Sequence, residues 1–203
     1  MSSAFALSPT RPATVSVHNA LAAGLPAILL DEAGALLVFP AATATARQLH
    51  FAIRYSSGLI HAAVPTSRLD DLRVPDQPVL ASENSGTSFT VSVDATTGIG
   101  TGISAHDRAH TMRVLADPHA VPDDLTRPGH VLPIRCADGG FAERARSCEL
   151  AVDLVSDAGH PPVAVVCRLI DDESGDPLDE MSATVFALCH DLPLYTRPAG
   201  THR

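Results

Sequence analysis

The chain has 203 residues, 45% apolar and 18% charged, with a formal net charge of −9. That length suits one domain with a sizeable core, and the composition is globular rather than disordered. The acidic balance, with no basic cluster to offset it, speaks against nucleic acid and anionic membranes as partners. No apolar run reaches the roughly 18–20 residues that cross a bilayer. The opening MSSAFALSPTRPATVS lacks a basic start followed by a long apolar segment, so a cytoplasmic protein is expected. All 14 residues counted as Lys+Arg are arginine. This excludes lysine Schiff-base chemistry and a P-loop lysine, and leaves the guanidinium as the fork for phosphate or carboxylate. Cys136, Cys148, Cys167 and Cys189 show no C-x-x-C spacing, so a zinc knuckle is not expected.

Residues 1–14 read as a flexible tail, and 15–203 as a single domain. SVHNALAAGLPAILL gives a short amphipathic helix and then a strand; ALLVFPA is a second apolar run, ended by Pro40. TARQLHFAIRYSSG reads as a helix stopped by Gly58, and LIHAAV as a strand. Residues 65–88 are rich in Pro, Ser, Asp and Asn and read as loop, with a short helix near Ser67–Leu72. SFTVSVDA alternates and predicts a strand. ISAHDRAHTMRVLAD predicts a helix, GHVLPIRC a strand, and ELAVDLVSDAG a helix stopped by Gly159. PVAVVCRLI predicts a buried strand and DEMSATVFALCHDL a last helix. Strands and helices taken in turn predict an α+β fold, a layered α/β domain.

Three stretches carry chemistry. In TTGIGTGISAHDRAHTM, Ser104 is placed to cap a helix, with Asp107 at the capping-box position. The helix N-terminus at Thr101–Ser104 would then present N–H groups to an anion. The plain alternative is a well-capped core helix with Ala105, Ala109, Met112 and Leu115 facing inward. In RPGH, His130 is a candidate acid–base group, since histidine is the side-chain type suited to proton shuttling. Read from its residues alone, RPGH is a structural turn whose histidine bonds to backbone. In GGFAERARSCELAVDL, Arg144 and Arg146 stand beside Cys148 and Glu149.

At these stretches, and at VFPA, IRYSSG and FTVSVDA, the chain resembles the 3,4-dihydroxy-2-butanone 4-phosphate synthases. The resemblance runs in order from about Leu21 to Leu194. It implies the family's α+β fold and a homodimer with active sites near the subunit interface. It also implies conversion of ribulose 5-phosphate to dihydroxybutanone phosphate and formate, with Mg²⁺ and acid–base residues. By the same resemblance His130 matches an essential catalytic histidine, and Arg144 a conserved arginine.

Other positions depart from the family pattern. The acidic loop after the first strand is shortened to LLDEAGALLVFPA, with Asp31 and Glu32 at its start. Ser147 stands where the resemblance places a metal-binding histidine, Arg168 where it places a glutamate, and His61 where it places a cysteine. These departures lead to the expectation of a repurposed enzyme without a metal cofactor. Its chemistry would be lyase, isomerase or cyclase chemistry on a small phosphate or carboxylate. His130, His61, Glu149 and Cys148 would be catalytic; Arg144, Arg146, Arg168, Thr101, Ser104 and Arg127 would hold substrate. Two alternatives stand beside it: the parent synthase with Mg²⁺, and a non-catalytic paralogue that binds a metabolite or a partner.

Overall fold

The structure is a computed structural model and describes residues 13–80, 82 and 86–197. Most of the expected tail lies outside the described residues, and Ala13 already begins a helix, α1 (Ala13–Ala22). There follow β1 (Ala27–Asp31), β2 (Gly34–Pro40), α2 (Ala46–Arg54), β3 (His61–Pro65), α3 (Thr66–Asp71) and β4 (Val93–Ala95). The second half runs α4 (Ala105–Ala116), β5 (Leu125–Cys136), α5 (Gly140–Glu143), α6 (Ser147–Asp157), β6 (Ala164–Arg168), α7 (Glu180–His190) and β7 (Leu194–Thr196). The strands form one mixed seven-stranded sheet in the order β4-β5-β3-β6-β2-β1-β7.

Strand alternation sorts side chains to two cores. Leu37 and Phe39 of β2 join Val165 and Cys167 of β6 on one face, with Leu49, Met112, Leu115 and Ala183 of α2, α4 and α7 packed over them. Leu36 and Val38 join Ala164 and Val166 on the other face, under Val17 and Leu21 of α1 and Ala151 and Val155 of α6. A central strand covered on both faces has no polar side to show. That is why β2 and β6 read in sequence as unbroken apolar runs rather than as alternation.

Local chemistry sets several boundaries. Thr45 and Gln48 close a capping box on α2: the Gln48 amide donates to Thr45 Oγ1 at 3.2 Å, and Gln48 Oε1 accepts from the Thr45 amide at 2.9 Å. The helix then stops at Arg54, before Gly58, and Ser56 bridges Leu169 just after β6. SFTVSVDA yields only the three residues of β4. The register shifts between Val93 and Asp94, a bulge at the sheet edge, and the residues before it make only isolated bridges. β5 is correspondingly longer than GHVLPIRC, since it pairs with β4 and β3 at once. Neither α5 nor β7 follows from the sequence pattern. β7 has three residues and is held by parallel pairing to β1.

Phe39 is fully buried in the core of the central strand. Phe39→Ala is expected to cost about 3–5 kcal/mol through lost burial and the cavity left behind. Urea denaturation should show a lower midpoint with an unchanged slope.

Candidate active site

The apolar sheet leaves its polar groups at strand ends. β1 and β2 are joined by a tight hairpin in which Asp31 is registered against Gly34 and only Glu32 and Ala33 lie between. The Asp31 carboxylate accepts the Ala33 amide at 2.8 Å and so pins the turn. β2 runs antiparallel to β6 with Leu36 opposite Arg168, which brings the last residue of β6 to that hairpin. The Arg168 guanidinium grips Asp31 with both terminal nitrogens, at 2.8 and 2.7 Å, and donates to the Gly34 carbonyl at 2.6 Å. Ser147, the first residue of α6, adds its hydroxyl to the same carboxylate. Burial works against ionisation of Asp31. The bonds from Arg168 and Ser147 and the Arg168 charge outweigh it, and the carboxyl stays below its ordinary range.

A cleft of about 280 Å³ opens beside Arg168 and Ser147, lined also by Arg144, Arg146 and Arg197 among others. Arg197, past β7, holds both oxygens of Glu32 at 2.8 and 2.6 Å. Arg144 is tied to Glu149, Nε to Oε1 at 2.5 Å, and Glu149 is 1% exposed. The other Glu149 oxygen is buried without a hydrogen-bond partner. A second cavity, of about 240 Å³, shares Cys148 and Arg168 with the first and reaches His61. His61 Nδ1 bonds the Leu132 carbonyl at 3.0 Å, and its ring lies against Phe89. Burial lowers its pKa despite that bond, so the ring is neutral at pH 7. Burial and the neighbouring Glu149 push the Cys148 thiol up to about 11. The thiolate that a nucleophile needs is therefore disfavoured, even with arginines nearby.

His61, Cys148, Glu149, Arg144, Arg146 and Arg168 thus surround two adjoining cavities. His130 lines neither. It lies on β5, two residues before Leu132, the partner of His61 in the sheet register. Its Nδ1 meets Asp94 Oδ2 at 2.6 Å and its amide donates to Asp94 Oδ1 at 2.9 Å. The glycines around it have a packing reason. A Cβ on Gly129 would lie 2.1 Å from the Val93 carbonyl carbon. Gly102 has φ +91°, and a Cβ there would lie 2.1 Å from the Asp94 carboxylate and 2.7 Å from the His130 ring. RPGH and TGIS are therefore two halves of one Asp–His cradle.

The remaining expected residues make other contacts. Ser104 caps α4 by accepting the Asp107 amide at 3.0 Å. The Asp107 carboxylate does not close the expected box. It turns back to accept the Gly102 amide at 3.1 Å, so an acid of the chain itself sits at the helix entrance. Thr101 is exposed beside it. Arg127 donates to the backbone carbonyls of Leu72, Pro122 and Leu125, where it braces the start of β5. Sequence reasoning did not single out Arg197. Its tie to Glu32 spans 165 positions and leaves no local signal.

Fold and site together define a layered α/β domain with an arginine-lined cleft and a carboxylate-oriented histidine. Residues 16–198 match the 3,4-dihydroxy-2-butanone 4-phosphate synthase family, and the chain belongs to it. It is 41% identical over 180 residues to the riboflavin biosynthesis protein RibBA of Salinispora arenicola, and 43% identical over 183 residues to that of Mycobacterium tuberculosis. Each match takes 87% of this chain and 43% of the relative, so the chain spans less than half their length. Among solved structures it is similar to a 3,4-dihydroxy-2-butanone 4-phosphate synthase in complex with two magnesium ions. That likeness has a TM-score of 0.86 and 36% identity, over 92% of this chain and 93% of the other. The Candida albicans synthase gives 0.83 and 34%, over 92% and 93%.

These relatives overturn two expectations from the sequence. The reading of a repurposed, metal-independent enzyme gives way to the parent synthase, the reading that relatives at 41–43% identity support. The expectation of no metal cofactor likewise fails against a similar synthase that carries two magnesium ions.

The cysteines give a direct check on the raised Cys148 thiol. With iodoacetamide at pH 7.5, exposed Cys189 should be alkylated well before Cys148. Peptide mass spectrometry over a time course would read the order, and preferential labelling of Cys148 would count against an inert thiol.

Proposed function

We propose that this chain is a 3,4-dihydroxy-2-butanone 4-phosphate synthase, converting ribulose 5-phosphate to dihydroxybutanone phosphate and formate. The observation that carries the reading is the 0.86 TM-score to a synthase at 36% identity over nearly the whole of both chains. In this reading His130 is the acid–base group. Asp94 accepts from Nδ1 and fixes the tautomer, leaving Nε2 to exchange a proton with substrate. The arginines of the cleft hold the anionic end of the sugar phosphate. Buried Glu149 borders this cleft and neutral His61 the adjoining cavity. Arg127 and Ser104 act through structure, by bracing β5 and capping α4. The active unit in this reading is a homodimer with its active sites near the subunit interface, as the family resemblance implies.

Magnesium is the cofactor this reading calls for, and when bound it would supply Lewis-acid stabilisation of negative charge. The side chains as arranged do not offer it a cage. Both Asp31 oxygens are engaged by Arg168 and both Glu32 oxygens by Arg197. Among the described residues no cluster of three or more His, Cys, Asp or Glu is placed to hold an ion.

The test is a ¹³C NMR time course with labelled ribulose 5-phosphate, in Mg²⁺ and in EDTA. Formate should appear with Mg²⁺; its absence in both samples would sink the reading. His130→Ala should slow turnover about 10²–10⁴-fold. Asp94→Asn should lower kcat by less, with KM nearly unchanged and the pH profile displaced, because it misorients the ring without touching substrate.

A further inference from the structure

The Asp31 carboxylate is fully engaged by groups of the chain itself. A carboxylate has about four acceptor positions. At Asp31 the donors are the Ala33 amide, the two terminal nitrogens of Arg168 and the Ser147 hydroxyl. No acceptor position is left for a metal. The pair is also sheltered: the Asp31 side chain is 5% exposed and that of Arg168 32%. The arrangement is built by three separate elements, the β1–β2 hairpin, the end of β6 and the start of α6. The Gly34 carbonyl holds the guanidinium from a third side.

We infer that Arg168 is a latch on cation access: a hard divalent cation reaches Asp31 only by displacing its guanidinium. The inference deepens the synthase reading and rests on it for the relevance of a divalent ion. With Arg168 withdrawn, Asp31 would face the cleft with both Arg168-bonded lone pairs free and the Ser147 oxygen beside it. Glu32 is one residue away, still paired to Arg197. One or two carboxylates completed by water and substrate oxygens are the usual surroundings of Mg²⁺. While Arg168 stays, the same carboxylate is neutralised by a bidentate, charge-assisted pair that a hydrated divalent ion must break. Arg146, which lines the cleft, adds to the repulsion a cation meets on the way in.

The experiment is a Mn²⁺ titration of the full chain, followed by the EPR signal of free Mn²⁺, for wild type, Arg168→Gln and the double variant Arg168→Gln, Asp31→Asn. Arg168→Gln should bind Mn²⁺ at least about tenfold more tightly than wild type, and the double variant should lose that gain. Equal affinity of wild type and Arg168→Gln would overturn the latch, as would a gain that survives in the double variant. Should Arg168→Gln fail to fold, judged by circular dichroism, Asp31→Asn alone still decides. A latched Asp31 contributes little to Mn²⁺ binding, so this variant should match wild type. A tenfold or greater loss would show that the ion already uses the carboxylate. Mn²⁺ affinity is read without turnover. A protein that releases no formate therefore fails the synthase reading while the latch is judged separately.

Discussion

Burial of both faces of the sheet is the constraint from which the rest of the molecule follows. Phe39, Leu37, Val165 and Cys167 face one helical layer; Leu36, Val38, Ala164 and Val166 face the other. A charged side chain in the middle of β2 or β6 would face a large desolvation cost with no partner to offset it. Chemistry is therefore displaced to strand ends, and the antiparallel run β1-β2-β6 brings three such ends together. Asp31 closes β1, Gly34 opens β2 and Arg168 closes β6. His61 opens β3, registered against Val166, and so arrives at the same edge of the domain.

Charge in the cleft is then settled pairwise. Arg168 faces Asp31, Arg197 faces Glu32 and Arg144 faces Glu149. An anion entering the cleft would meet guanidinium groups that are already positioned and partly neutralised. Their orientation costs little entropy at binding, but their charge is shared with an acid of the chain. The Asp94–His130 cradle follows a different logic. Its carboxylate binds both the backbone amide and the ring of the same residue, so strand and side chain are fixed together. The two glycines that a motif reader sees as punctuation are there because no larger residue fits against that cradle.

Most of the layered fold was legible because it is written in short-range pattern. Apolar runs marked β1, β2, β3 and β6, and the capping Ser104 marked the start of α4. What escaped was set by tertiary pairing. β7 exists through its register with β1, and SFTVSVDA is cut short by a bulge that only β5 imposes. The site divides in the same way. His130 stood out through its motif, and Arg144 with Glu149 through their closeness in sequence. The meeting of Asp31 with Ser147 and Arg168 spans 116 and 137 positions and has no local trace. The shortened acidic loop looked in sequence like lost pieces. In the fold it is a two-residue hairpin that holds its remaining acid rigidly at a helix entrance.

That rigidity bears on how the acidic groups of this chain are arranged. A long loop can bring several carboxylates to one ion by bending, whereas a two-residue hairpin fixes one carboxylate and sends the next residue elsewhere. Glu32 accordingly turns to Arg197 instead of joining Asp31. A lone fixed carboxylate beneath a helix N-terminus still needs a counter-charge, and the chain supplies one covalently at the end of β6. Arginine suits the place because its planar fork matches both carboxylate oxygens at once, and because it stays charged at every physiological pH. A lysine would reach the same carboxylate with one point charge and leave an oxygen open to a competing ion. The use of arginine at this corner is thus a consequence of the hairpin's geometry, and the affinity of the corner for divalent cations follows from how firmly that one guanidinium is held.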